Sequence, residues 1–188
     1  AIALIGSNEL SALVMSISVI RYFKNIPPEM VEMKKFWMHS VATGVFARLL
    51  AHHKPGLPEE DLFIAGLLHD IGRLVIFKAL PRTAAFAIQR SIIERTPLFQ
   101  IEKEIFSYDH AEVAGLLLEK WNFPKPLQQL IRYHHSPLDC QRPVEAAIIY
   151  LANVLASAMR FGSSGNYLIP CLDKETWDVL ELTPSVLM

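Results

Sequence analysis

Hydrophobic positions recur every three to four residues through most of this chain, and no stretch shows the period-two alternation of a half-buried strand. The pattern predicts one helix after another. Ser7 or Asn8 can cap a first helix running to about residue 24, and Pro27-Pro28 ends the connection after it. A second helix is expected over 31–52, with an apolar face through Phe36, Val41, Val45 and Leu49. Lys54-Pro55-Gly56 breaks it. Pro58 followed by Glu59, Glu60 and Asp61 opens a third helix, with proline in the first turn and acids at the positive end of the dipole. That helix carries Leu67, Leu68, His69 and Asp70. Pro81 and Pro97 open two more segments, and Asp109 with Glu112 starts another in the manner of a capping box, reaching Trp121. Pro124 and Pro126 begin a helix that closes in His134-His135 and is stopped by Pro137. A last long helix spans about 144–161 and ends at Gly162, before a Ser163-Ser164-Gly165-Asn166 loop and a short capped tail from Asp173. No internal repeat interrupts the series, so the expected architecture is an all-α orthogonal helical bundle.

Composition narrows the function classes. With 188 residues the chain can bury one continuous core. A net charge of -1 offers no basic surface to phosphates, which excludes nucleic acid as a partner. The longest apolar stretches, 10–20 and 146–159, are interrupted by serines or by Asn153 and fall short of the ~20 residues a bilayer requires. No membrane span and no secretory leader are therefore expected. Cys140 and Cys171 are far apart and form no CxxC pair, which suits free thiols in a reducing cytoplasm. The first residue is Ala, and residues 1–6 read as the middle of a segment, so an N-terminal portion is expected to be missing.

The chemistry lies in the histidines. In Gly66-Leu67-Leu68-His69-Asp70-Ile71-Gly72 a carboxylate and an imidazole stand inside an apolar run. Burying that carboxylate without a partner costs several kcal/mol. A divalent cation would remove the cost and account for the imidazole as well. Alternatively Asp70 accepts backbone N–H groups at a turn and His69 is a satisfied core histidine. Three further groups weigh toward the metal. His39 lies in Phe36-Trp37-Met38-His39-Ser40, His110 follows the Asp109 cap, and His134-His135 closes an apolar helix. At a helix N-terminus the dipole disfavours imidazolium, which is expected to keep His110 neutral for coordination. His52-His53, between Ala51 and Lys54-Pro55, reads as a solvated helix end and is left out.

The order His, His-Asp-Ile-Gly, Asp-His-Ala-Glu-Val and His-His resembles the HD superfamily of metal-dependent phosphohydrolases. More closely it resembles the HDOD domains, the HD-related output domains of bacterial signalling proteins. Phe36-Trp37-Met38-His39-Ser40, Ala65-Gly66-Leu67-Leu68-His69-Asp70-Ile71-Gly72, Asp109-His110-Ala111-Glu112-Val113 and Trp121-Asn122-Phe123-Pro124 carry the likeness. On it, 1–188 is the HD-like part of an HDOD domain whose N-terminal helices are absent from this chain. The resemblance to the HD-GYP phosphodiesterases implies one or two divalent ions, iron or manganese foremost, with zinc or nickel also compatible. Asp70 would bridge, with His39 and His69 on one side and His110, His134 and His135 on the other.

Three departures stand out. The relatives' final metal-binding Asp is replaced at Ala152-Asn153, so Asn153 would be a weak ligand. Their Lys after the HD motif is Arg73, a planar fork in place of a point charge. Their Gly-Tyr-Pro loop is replaced by Ser136-Pro137-Leu138-Asp139-Cys140. The expected function is therefore a cytoplasmic, non-catalytic signal-transduction output domain with an HD-type pocket. It would answer to a protein partner or to an adjacent receiver or sensory domain. The alternative is a metal-dependent phosphohydrolase acting on a nucleotide or cyclic dinucleotide, with Asp70 and Arg73 in the reaction. A third reading, a helical domain with incidental histidines, also stays open.

Overall fold

The computed structural model describes residues 23, 26–28, 30–171 and 174–182. Among these, the regular elements are nine α-helices and a 3-10 turn, with no strand. In chain order they are α1 (Met33–His52), α2 (Glu59–Leu68), α3 (Ile71–Ala79), α4 (Pro81–Glu94), α5 (Leu98–Phe106), α6 (His110–Lys120), α7 (Lys125–Arg132), the 3-10 turn Pro137–Asp139, α8 (Pro143–Ala158) and α9 (Lys174–Leu180). The all-α expectation holds. The helix expected before residue 24 and the Asp173 cap lie outside the described residues.

Proline and acidic starts decide several boundaries. Pro81 opens α4 from its first turn, Pro97 caps α5, and Glu59, Glu60 and Asp61 fill the first turn of α2. The centre of the bundle is α8, where Ala146 to Ala152 are all nearly inaccessible. A helix that is apolar all round belongs inside, and α1, α2, α7 and α9 pack around it.

Three expectations fail locally. The buried face of α1 is Phe36, His39, Ser40, Thr43, Gly44, Ala47, Leu50 and Ala51, whereas Val41, Val45 and Leu49 are 47%, 36% and 52% exposed. The reason is close approach. A Cβ on Gly66 would lie 2.8 Å from the Gly44 backbone, and one on Gly44 would lie 2.8 Å from the Phe63 carbonyl oxygen. Helices this close bury small residues and turn bulky ones outward, where Val41 and Val45 line an apolar groove of about 690 Å³ with Met38, Phe46, Met159 and Phe161. Second, the helix from Glu59 stops at Leu68 rather than continuing through Asp70, and a new one begins at Ile71. Third, α7 ends two residues before His134, and α8 ends at Ala158 with Arg160 in the left-handed region at φ 58°.

Candidate metal centre

The break between α2 and α3 builds the middle of the site. On a continuous helix, neighbouring side chains diverge by about 100°. Asp70 instead takes φ -96°, ψ 5°, and this bend lets both His69 and Asp70 face inward. Asp70 makes no capping hydrogen bond to the α3 backbone, which removes the backbone-capping alternative.

Six of the sequence-predicted residues come together around that carboxylate. His39, His69, Asp70, His110 and His134 are each at most 2% exposed, and His135 is half-buried. Asp70 Oδ2 lies 3.1 Å from His69 Nε2 and 3.7 Å from His39 Nε2, while Oδ1 lies 2.9 Å from His110 Nε2. His110 Nε2 is in turn 2.9 Å from His135 Nε2, and Phe99 stacks on the His135 ring at 4.2 Å between centroids. The rings of His134 and His69 meet edge to face at 5.1 Å.

The outer nitrogens fix the tautomers. His69 Nδ1 is 2.7 Å from the Gly66 carbonyl oxygen and His134 Nδ1 is 2.8 Å from that of Ile131. A carbonyl only accepts, so Nδ1 donates in both rings and each Nε2 keeps its lone pair. Those Nε2 atoms, with Nε2 of His39, are buried and have no hydrogen-bond partner. Buried polar nitrogens left unmatched are expensive, and those of His69 and His39 lie beside the Asp70 carboxylate. Two donor groups could hold a cation: His39, His69 and Asp70, and His110, His134 and His135, the ligating atoms of each lying within 4.8 Å of one another. Neutral imidazole nitrogens with a carboxylate suit a divalent transition metal, so the donor set fits the ion.

Glu102 is the functional candidate that sequence reasoning missed. It is 1% exposed, and its Oε2 lies 2.5 Å from His110 Nδ1 and accepts from the His110 backbone N–H at 3.0 Å. A carboxylate behind an imidazole orients the ring and raises its basicity. The available signal was its position on the Leu98, Ile101, Ile105 stripe of α5, a buried face for an acidic residue. Ser164, in the predicted loop, was missed as well, and its Oγ accepts from Arg73 Nη1 at 2.6 Å. Gly162, at φ 75°, seats that loop on α1, where Ser163 N–H donates to the Lys35 carbonyl at 3.1 Å.

Arg73 is 1% exposed, the largest wholly buried side chain, with Nε 3.5 Å from Asp70 Oδ1 and Nη2 3.3 Å from His110 Nε2. Asn153 is 4% exposed and its Oδ1 already accepts from Ser157 Oγ at 3.4 Å. A cavity of about 300 Å³ reaches His39, Asp70, Arg73 and Asn153 from the side of Arg160 and the following loop. His52 is exposed, paired with Glu59 at 3.1 Å, and takes no part. Cys140 and Cys171 are free.

Burial pushes the Asp70 carboxyl upward, but the Arg73 charge and the surrounding imidazoles outweigh it and hold it well below its usual range. Burial, then His69, lowers His39 to about 4. His134 and His135 are also lowered, chiefly by burial. His110 departs from the dipole-based expectation. Burial and Arg73 push it down, yet the Glu102 charge and hydrogen bonds to Asp70 and Glu102 raise it to about 9. The dipole of one helix end is the smaller effect beside two carboxylates.

These shifts predict a stability maximum in chelator-treated protein. Below the unfolded His value of ~6.5, unfolding adds protons to His39. Stability therefore rises with pH from about 4 to that value. Above it, folded His110 holds a proton the unfolded chain has lost, so stability falls as pH approaches about 9. Urea midpoints across this range check the shape. Glu102→Gln is expected to shrink the alkaline limb and leave the acid limb alone, and a flat wild-type profile from neutrality to pH 9 would refute it.

Fold and centre together define a helical domain of the HD type. Residues 1–137 match the HDOD domain, and the chain belongs to that family. Among solved structures it is similar to a protein of Shewanella amazonensis SB2B provisionally described as a phosphohydrolase, at 26% identity and TM-score 0.70, covering 79% of this chain and 54% of that one. An HDOD domain protein of Geobacter sulfurreducens with unknown function matches at 22% identity and TM-score 0.76, covering 93% and 61%. A protein of Marinobacter aquaeolei VT8 provisionally described in signal transduction matches at 22% and TM-score 0.74, covering 94% and 39%. An uncharacterized protein of Treponema pallidum (strain Nichols) is 28% identical over 137 residues, which are 72% of this chain and 26% of that protein. The chain thus spans about a quarter of that curated relative. No helix among the described residues is long and apolar enough to cross a membrane.

Proposed function

We propose that this domain is a non-catalytic signalling output module of the cytoplasm that holds a divalent ion, iron or manganese foremost, in its histidine pocket. His39, His69, Asp70, His110, His134 and His135 are the proposed ligands, with Asn153 a weak one. Its proposed partner is a protein surface or an adjacent receiver or sensory domain, a reading supported by the signal-transduction description of the Marinobacter relative.

The observation that carries the non-catalytic reading is the state of Arg73. The cavity touches this guanidinium, but the side chain is 1% exposed, its Nη1 donates to Ser164 Oγ at 2.6 Å and its Nε lies 3.5 Å from Asp70 Oδ1, so it is committed to the protein's own groups rather than held out to a ligand. Asn153, engaged by Ser157, adds no charge to the first donor group. A bound ion would supply a Lewis acid and a more acidic water. The chain's own residues orient the imidazoles through Gly66, Ile131 and Glu102, and the second cation on the cavity wall, Arg160, is an exposed side chain outside both donor groups.

A second reading, a phosphohydrolase taking a nucleotide or cyclic dinucleotide, is favoured by the cavity that opens onto His39 and Asp70 and by the description of the Shewanella relative. Protein purified without chelator is expected to carry stoichiometric metal by elemental analysis, lost in His69→Ala, and to leave bis(p-nitrophenyl) phosphate intact. Metal at background would remove the pocket proposal. Turnover that disappears in Asp70→Ala would overturn the non-catalytic reading in favour of the second.

A further inference from the structure

The two donor groups are not equivalent, because the Arg73 guanidinium stands beside a ligand of the second, His110. Asp70 Oδ1 and His110 Nε2, 2.9 Å apart, are the two atoms through which the second group would join an ion to the shared carboxylate. The Arg73 guanidinium stands on both, Nε 3.5 Å from Oδ1 and Nη2 3.3 Å from Nε2. On the first group, Asp70 Oδ2 lies 3.1 Å from His69 Nε2 and 3.7 Å from His39 Nε2, both of them buried atoms without a hydrogen-bond partner, and no guanidinium nitrogen is paired with Oδ2.

We infer that Arg73 is a built-in cation occupying the second metal position, so that the centre takes one ion fewer than its six ligands could hold. This rests on the reading of the pocket as a metal site and fixes its stoichiometry.

Two further facts support it. The guanidinium is not a transient visitor, since Nη1 donates to Ser164 Oγ at 2.6 Å and also lies 3.5 Å from the Ser164 carbonyl oxygen. Ser164 is 2% exposed and its loop is tied to α1 through Ser163 and Lys35. Charge points the same way. With His110 deprotonated, as it must be to ligate an ion, the buried groups at the rings carry two negative charges on Asp70 and Glu102 and one positive on Arg73. A first divalent ion takes that set from one negative to one positive charge. A second, with the guanidinium still present, would leave three uncompensated positive charges in a low-dielectric interior.

The test is the change in stoichiometry when the guanidinium is removed. Chelator-treated wild type, Arg73→Gln, Arg73→Ala and Ser164→Ala would be titrated with Mn²⁺ and Co²⁺, with circular dichroism confirming that each is folded. The glutamine variant keeps most of the buried volume should the alanine variant fail to fold. Wild type is expected to bind one ion, lost in His39→Ala and kept in His135→Ala. Both Arg73 variants are expected to bind one more, sensitive to His135→Ala, with an exchange-coupled Mn²⁺ pair in the electron paramagnetic resonance spectrum. Ser164→Ala is expected to weaken the exclusion, giving a second ion at higher concentration. Equal stoichiometry in wild type and folded Arg73→Gln overturns the inference, whatever the shared number. A wild type that binds none while Arg73→Gln binds one would sink the metal reading of the native pocket yet uphold the role of Arg73.

Discussion

Asp70→Ala is expected to destabilise the domain by about 3–5 kcal/mol and to abolish metal retention. Its carboxylate is 1% exposed and stands within 3.7 Å of His39, His69, His110 and Arg73 atoms. Removing it leaves Arg73 inside the protein beside the Ser164 hydroxyl and carbonyl and the His110 ring but without its ion-pair partner, and an uncompensated buried charge is among the most expensive defects a fold can carry. Urea unfolding in chelator measures the loss free of any metal contribution. Asp70→Ala combined with Arg73→Met is expected to recover part of it, because the second change removes the orphaned charge; additive losses would show that the two side chains are not coupled. A single-mutant cost below about 1 kcal/mol would mean that the interior tolerates the unpaired guanidinium, contrary to the burial observed here.

The residues of the centre were legible because ionisable groups in apolar surroundings are conspicuous. His69-Asp70 between Leu68 and Ile71, or His134-His135 after Leu130-Ile131, has no cheap explanation on a solvated face. Glu102 was hidden by the reverse circumstance. It sits in Ile101-Glu102-Lys103-Glu104-Ile105, where alternating charge reads as a solvent-exposed helix, and its place on the Leu98, Ile101, Ile105 face is the cue that separates it from the exposed Glu104. Ser164, in a run of small polar residues, carried no signal at all.

The misread face of α1 has the same origin as the illegible parts of the core. Hydrophobic periodicity finds the large apolar residues, and Val41, Val45 and Leu49 are large and apolar. The packing of α1 on α2 is instead decided by Gly44 and Gly66, whose backbones meet. Small residues mark a close crossing only when both partners are known. The break at His69-Asp70 was invisible for a related reason, since no proline or glycine falls at the boundary itself.

Gly72→Ala is expected to cost about 3 kcal/mol or more, the upper end of what forcing a methyl into a filled interior costs. Gly72 lies within α3, where alanine would ordinarily stabilise a helix by up to about 1 kcal/mol, so the sign of the effect is itself the test. A Cβ there would stand 2.0 Å from the His110 carbonyl oxygen and 2.8 Å from the Ala114 nitrogen. Both are backbone atoms of α6, and no rotamer change can move them. Either α3 and α6 separate, carrying His110 away from Asp70 and Glu102, or the first turn of α6 distorts. Both routes weaken the second donor group before the first. Gly56→Ala offers the control: it lies in open space at φ 90°, so only left-handed backbone strain of about 1–2 kcal/mol is expected. Urea midpoints of the two variants in chelator compare them directly. A Gly72→Ala protein as stable as wild type would show that the α3–α6 contact can yield, and that the glycine after His69-Asp70-Ile71 does not set the distance between Asp70 and His110.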